Sequence, residues 1–233
     1  MPNENLIYVA DSEFTPYGNK SEQQIAARVL AISEYLITRK VKAIVVACNT
    51  ATAAAIQTLR NKYTIPVIGL EPALKPASEH TACARVGVLA TQATLDSQKY
   101  QDLKDKYGIR LELVEKASPL FVELVENASM ITPKELTLIE KELQPFINAG
   151  IDSLVLGCTH YPFLTRAISS IMGSKVTLFE SGLPVAKEVQ RRLINQLNRV
   201  NDQSSIHYYS SNPTKSQAMF DLILNSKVAI KPF

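Results

Sequence analysis

The sequence predicts an α/β fold of two similar halves, each an open parallel sheet, facing one another across a cleft. Two apolar runs, Ala43-Ile-Val-Val-Ala-Cys48 and Ser153-Leu-Val-Leu-Gly-Cys158, lack the alternation of a half-exposed strand and read as strands buried on both faces. Helical patterns flank both runs, and strand and helix alternate along the chain with no all-α or all-β section. The runs also resemble one another. They end in Cys48-Asn49-Thr50 and Cys158-Thr159-His160, about 110 residues apart, which points to two related halves.

In chain order, Leu6 to Ala10 is the first expected strand, and Ser21 to Arg39 the first helix, with Ser21 as its N-cap. The strand ending at Cys48 precedes a helix over Ala51 to Lys62, so this cysteine falls at a strand-to-helix turn. Pro66 to Gly69, Arg85 to Leu89 and Arg110 to Val114 read as further strands. A helix over Leu136 to Asn148 stops at Gly150, and the strand into Cys158 is followed by a helix over Thr165 to Met172 and a strand over Val176 to Phe179. Boundaries at Glu71-Pro72 and near Glu180-Ser-Gly182 divide the chain into residues 1–70 plus 181–233 and residues 71–180. On that division the C-terminal stretch returns to the first half.

The 233 residues, 46% of them hydrophobic, suffice for one large core or two small ones. Twenty-five basic and 22 acidic residues are well mixed and leave a net charge of +3, so no block marks a polyanion site and no direct nucleic-acid partner is expected. Apolar runs fall short of the roughly 20 residues that a membrane helix needs, and no basic-then-apolar signal opens the chain. A cytoplasmic protein without a membrane partner is therefore expected. Three cysteines, an odd number in apolar or small-residue surroundings, read as reduced thiols.

Both Cys48 and Cys158 are placed at the carboxyl edge of an open α/β sheet, where ligands collect against helix N-termini. A free thiol titrates near pH ~8.5, so its use as a base requires help; a helix start supplies it through aligned N–H groups, and His160 is a candidate proton relay. One strand-end cysteine alone reads as a small core residue. The duplicated motif argues otherwise, while Cys83, with no polar signature around it, reads as structural. A zinc site built from Cys158, His160 and Cys48 lacks the second paired ligand set, so no metal is expected, and a Cys/His hydrolase leaves the second cysteine motif unexplained.

Ala47-Cys48-Asn49-Thr50-Ala51 and Gly157-Cys158-Thr159-His160-Tyr161-Pro162 resemble the paired signature segments of the glutamate racemases, in the aspartate/glutamate racemase superfamily. Pro16-Tyr17-Gly18, Ile68-Gly-Leu-Glu71-Pro72, Ala90-Thr91-Gln-Ala-Thr94, Pro119 to Glu126 and Glu180-Ser-Gly182 follow in the family's order, so the resemblance spans about residues 4 to 200. Aspartate racemase relatives share the two cysteines but carry acidic residues after the second, where this chain has Thr159-His160.

The resemblance implies a two-base mechanism without pyridoxal phosphate or any other cofactor, with glutamate as the substrate. Cys48 would act on the D-enantiomer and Cys158 on the L-enantiomer, with His160 assisting and Glu126 as an acid/base or proton-orienting group. Asn49, Thr50 and Thr159 would hold the α-carboxylate of a planar carbanion, Tyr17 and Gly18 the other end or the ammonium side, and Thr91 and Thr94 would touch the ligand. Without the resemblance, the threonines and Asn49 read equally as helix caps, Pro16-Tyr17-Gly18 as a turn, and Glu126 as a solvated helix-end carboxylate. The family also implies D-glutamate supply for peptidoglycan, a homodimer and, by analogy, DNA gyrase as a partner.

The family's opening strand, ending in Asp-Ser-Gly, and the helix after it have no counterpart ahead of Leu6 in this sequence. Asp11-Ser12 matches a later family segment and does not take over that role. The expectations are an uncovered strand edge that favours dimerisation and a loss of activity of about 100- to 10,000-fold. A binding or regulatory relative with impaired catalysis, or a racemase for aspartate, are the alternative readings.

Overall fold

The computed structural model describes residues 1–198 and 204–233, and the strand pairings within them are all parallel. The chain runs β1 (Leu6–Ala10), a 3-10 turn (Tyr17–Asn19), α1 (Glu22–Thr38), β2 (Ile44–Val46), α2 (Asn49–Lys62), β3 (Val67–Gly69) and α3 (Leu74–His80). Then come β4 (Arg85–Ala90), α4 (Gln92–Leu95), α5 (Gln98–Tyr107), β5 (Glu112–Ala117), α6 (Pro119–Glu126), α7 (Pro133–Ala149) and β6 (Ser153–Gly157). A 3-10 turn (Tyr161–Leu164), α8 (Thr165–Met172), β7 (Thr177–Phe179), α9 (Gly182–Arg192), β8 (Ile206–Ser210), α10 (Pro213–Leu224) and β9 (Ile230–Pro232) complete the order.

Local chemistry explains the element boundaries. Ser21 caps α1 through a reciprocal capping box with Gln24, and Thr132 does the same for α7 with Glu135. Gly150 ends α7 in the left-handed conformation, φ 60°, which a glycine adopts without steric cost. The strand expected at Arg110 to Val114 lies later, at Glu112–Ala117, because Leu111 N–H donates to Gly108 O and keeps that segment in the turn after α5. Helices α3 and α5 and strands β8 and β9 were not read from the sequence.

Strands β5-β4-β6-β7 form one four-stranded sheet covered on both faces, which is why β4 and β6 are almost wholly apolar. Leu89, Leu154 and Leu156 pack against Phe121, Ile139, Leu143 and Phe146 from α6 and α7. Val86, Val88 and Val155 pack on the opposite side against Leu74 and Ala77 of α3 and Tyr100 of α5. Alternate residues of each strand thus feed two different cores.

The sequence predicts a second, similar sheet from the remaining strands. The structure instead divides them into a β2-β3 pair and a β1-β8-β9 sheet. β1 satisfies its backbone on β8, register Tyr8 to Tyr208, and β2 on β3, register Val45 to Ile68, and among the described residues no strand pairing joins the two groups into one sheet. Side chains bridge them instead: Glu4 pairs with Lys42 at 2.6 Å and accepts from the Asn198 N–H at 2.7 Å. Helices α1 and α2 cover β2 and β3 through Ile25, Val29, Ile56 and Leu59, while α10 covers β1 through Met219 and Phe220. Among the described residues no helix is long and apolar enough to cross a membrane.

Gly87 shows how tightly the main layer is packed. A Cβ there would stand 2.6 Å from Ile151 and 2.8 Å from both Leu154 and Phe146. Gly87→Ala is expected to cost about 1–3 kcal/mol by overpacking, read as a lower urea midpoint at unchanged slope. An unchanged midpoint would show that the layer yields freely.

Candidate active site

Cys48 and Cys158 both lie just past the carboxyl ends of strands, β2 and β6. Cys48 is the N-cap of α2, its sulfur accepting the Ala51 N–H at 3.4 Å. Thr52 locks this turn, donating to Val46 O and accepting from the Leu70 N–H. Cys158 follows Gly157, where a Cβ would come within 2.9 Å of Ala90 Cβ, so β6 is held close against β4 immediately before the thiol.

Three predicted residues meet around the second sulfur. His160 Nδ1 lies 3.7 Å from Cys158 Sγ, and His160 Nε2 lies 2.6 Å from Glu126 Oε1. A carboxylate can only accept, so Nε2 carries the proton and Nδ1 turns its lone pair to the thiol, which donates to it. Cys158, His160 and Glu126 therefore form a continuous proton path. Glu126 ends α6 in sequence, yet its side chain is mostly buried against the imidazole rather than solvated.

A second meeting joins α2 to α4. The hydroxyls of Thr50, Thr91 and Thr94 form a closed triangle with sides of 2.8, 3.0 and 2.9 Å. Thr91 also caps α4 through the Thr94 N–H, so capping and clustering are served by one side chain. Asn49 is buried with its Oδ1 unpartnered among the described residues, and Thr159 is half-buried between Cys158 and His160. A carboxylate only accepts, and the threonine hydroxyls and the Asn49 amide N–H are groups that can donate to one.

The Tyr17–Gly18 turn is brought against Thr91. Gly18 would place a Cβ 3.3 Å from Thr91 Cβ, so only a residue without one fits this approach easily. Tyr17 donates its hydroxyl to Asp11 at 2.6 Å, and Arg28 of α1 grips the same carboxylate with Nε at 3.0 Å and Nη2 at 2.6 Å. Sequence reasoning missed this role for Asp11 and Arg28. The pair lies 17 residues apart, on a loop and a helix, and the only available signal was an unexplained acid ahead of Pro16-Tyr17-Gly18.

The electrostatics correct one expectation. Helix-start donors were expected to ease ionisation of both thiols, but burial is the largest influence at each and wins. It raises Cys48 above the usual thiol range against the N–H groups of Ala51 and Thr50. Burial and the nearby Cys48 push Cys158 up to about 12. Burial likewise works to raise Asp11, but the hydrogen bonds from Arg28 and Tyr17 outweigh it and hold the carboxyl below its ordinary value.

Residues 1–189 match the family described as Asp/Glu/Hydantoin racemase. The chain is 47% identical to the glutamate racemase of Methylococcus capsulatus over 193 residues, 83% of this chain and 71% of that protein. It is 39% identical to the glutamate racemase of Ectopseudomonas mendocina over 236 aligned positions, 100% of this chain and 90% of that protein. The crystal structure of Escherichia coli glutamate racemase in complex with L-glutamate and the activator UDP-MurNAc-ala superposes with a TM-score of 0.89 at 28% identity, covering 99% of this chain and 88% of that one.

Two measurements check the site's electrostatics. Because Cys158 titrates far above neutrality, its iodoacetamide alkylation in the free protein should rise about tenfold per pH unit from about pH 7 to 9; a plateau in that window would contradict a raised thiol. Asp11, depressed in the folded state, contributes stability above the unfolded aspartate value of about 3.9, and this is lost as pH falls through the lower folded value. Asp11→Asn should flatten that acid limb of the unfolding temperature and leave a smaller loss from other depressed acids such as Glu4.

Proposed function

The chain belongs to the Asp/Glu/Hydantoin racemase family and is an isomerase, and from that premise we propose that it interconverts L- and D-glutamate with two cysteines and no cofactor. The observation that carries the mechanism is the Cys158–His160–Glu126 path at the carboxyl end of β6, with a second thiol, Cys48, at the carboxyl end of β2 and close enough to raise Cys158 through its charge. The Cys158 proton passes to His160 Nδ1, and Glu126 stabilises the imidazolium so formed. The thiolate then takes the α-proton of L-glutamate, and the Cys48 thiol gives its proton to the opposite face. Cys158 ends as thiol and Cys48 as thiolate, the state that accepts D-glutamate for the reverse reaction.

A buried thiol ionises rarely but makes a strong base when it does, which suits the weakly acidic α-carbon. Asn49, Thr50, Thr91, Thr94 and Thr159 are proposed to bind the carboxylates, with Tyr17 and Gly18 closing the other side. The N–H groups of Ala51 and Thr50 support the Cys48 thiolate during the return step. The product, D-glutamate, would supply peptidoglycan synthesis.

In deuterium oxide, turnover of either enantiomer should place deuterium at the α-carbon. Cys48→Ser and Cys158→Ser should each abolish racemisation with the fold intact, and Glu126→Gln should reduce kcat by about 100-fold or more. Unaltered deuterium incorporation in both serine variants would sink the two-thiol mechanism.

A further inference from the structure

We propose that Tyr161 is a positioning residue for the Cys158–His160–Glu126 path, its buried hydroxyl fastening the two segments that carry the path to one point of the sheet edge. The consequence for turnover rests on the racemase reading, while the geometry stands independently of it.

Tyr161 follows His160 and is 0% exposed. Its hydroxyl donates to Ser118 O at 2.8 Å and to Ala90 O at 2.9 Å, one proton shared between two carbonyls. Ala90 ends β4, and Ser118 is the N-cap of α6, the helix whose last residue is Glu126. The Tyr161 ring also meets Phe121 of α6 edge-on, with centroids 5.4 Å apart and an interplanar angle of 80°. At its backbone end, the Tyr161 N–H donates to Cys158 O at 3.1 Å. One residue therefore links the thiol's own turn, the start of the helix bearing Glu126, and the end of the inner strand β4.

The need for such a link follows from the contact it serves. His160 and Glu126 approach to 2.6 Å from segments 34 residues apart in sequence. Hydrogen bonds weaken steeply with misalignment, and catalytic groups displaced by about 1 Å can lose on the order of 100-fold in rate. A core-filling role would be met equally by phenylalanine, which would pack on Phe121 and fill nearly the same volume. The hydroxyl's pair of buried acceptors is what phenylalanine cannot reproduce.

The test compares the full chain as wild type, Tyr161→Phe, Glu126→Gln and the double variant. Tyr161→Phe should lower kcat about tenfold with the glutamate KM within about twofold, and should add less than about twofold in the Glu126→Gln background, because positioning acts through the carboxylate. Multiplying losses, or a lower unfolding temperature with unchanged kcat, would overturn the role. Nitrogen-15 spectra of the three histidines supply a readout that needs no turnover. Tyr161→Phe should shift the His160 imidazole resonances and leave those of His80 and His207 in place; unmoved His160 signals would overturn the proposal. If the wild-type chain fails to racemise glutamate, the functional reading falls, and the spectra still decide the role of Tyr161.

Discussion

Removing a thiol from water favours its neutral form, and in this molecule that penalty falls on Cys158 because the strand leading to it is buried along its whole length. The sulfur is delivered to the carboxyl edge of the sheet between two hydrophobic layers, where ionisation is displaced to about 12. The surrounding groups answer this constraint. His160 offers a lone pair to the sulfur, Glu126 fixes the tautomer that does so, and Tyr161 ties their carriers together. Cys48 is placed differently. Backbone N–H groups counter burial at both sulfurs without cancelling it, those of Ala51 and Thr50 at Cys48 and those of His160 and Tyr161 at Cys158, but Cys48 has no counterpart of the His160 imidazole that lies beside Cys158. The two thiols thus differ in the help available for losing a proton.

The candidate site is held by contacts that are short, at least partly buried and of different chemical kinds. The Thr50, Thr91 and Thr94 triangle uses hydroxyls, each able to donate and accept, so its hydrogen bonds can be re-formed around a carboxylate without stranding a buried group. The Asp11 clamp uses charge, with a planar guanidinium matched to both oxygens of one carboxylate. It fixes Tyr17, and with it the turn whose Gly18 abuts Thr91. An adaptable ring beside a rigid clamp suits the proposed binding of two mirror-image substrates.

Several elements were legible locally. The capping box at Ser21, the αL stop at Gly150 and the continuous apolar runs into Cys48 and Cys158 are short-range signals, and the structure places α1, α7, β2 and β6 within a few residues of them. The C-terminal elements were less legible. β8 pairs with β1, and α10 covers β1, from about 200 residues away, so no local period announces that arrangement. Glu126 shows the same boundary within the site. By itself it is a helix-end acid, and only the resemblance to racemases singled it out.

The fold class, the placement of both cysteines at strand ends and their kinship to the racemases were properties of the chain as written, since periodicity, caps and short motifs act over a few residues. Folding decided the division of the remaining strands into two sheets, the approach of His160 to Glu126, the grip of Arg28 and Tyr17 on Asp11, and the upward displacement of both thiols. Each of these depends on burial or on partners far apart in sequence, and neither exists until the layers pack.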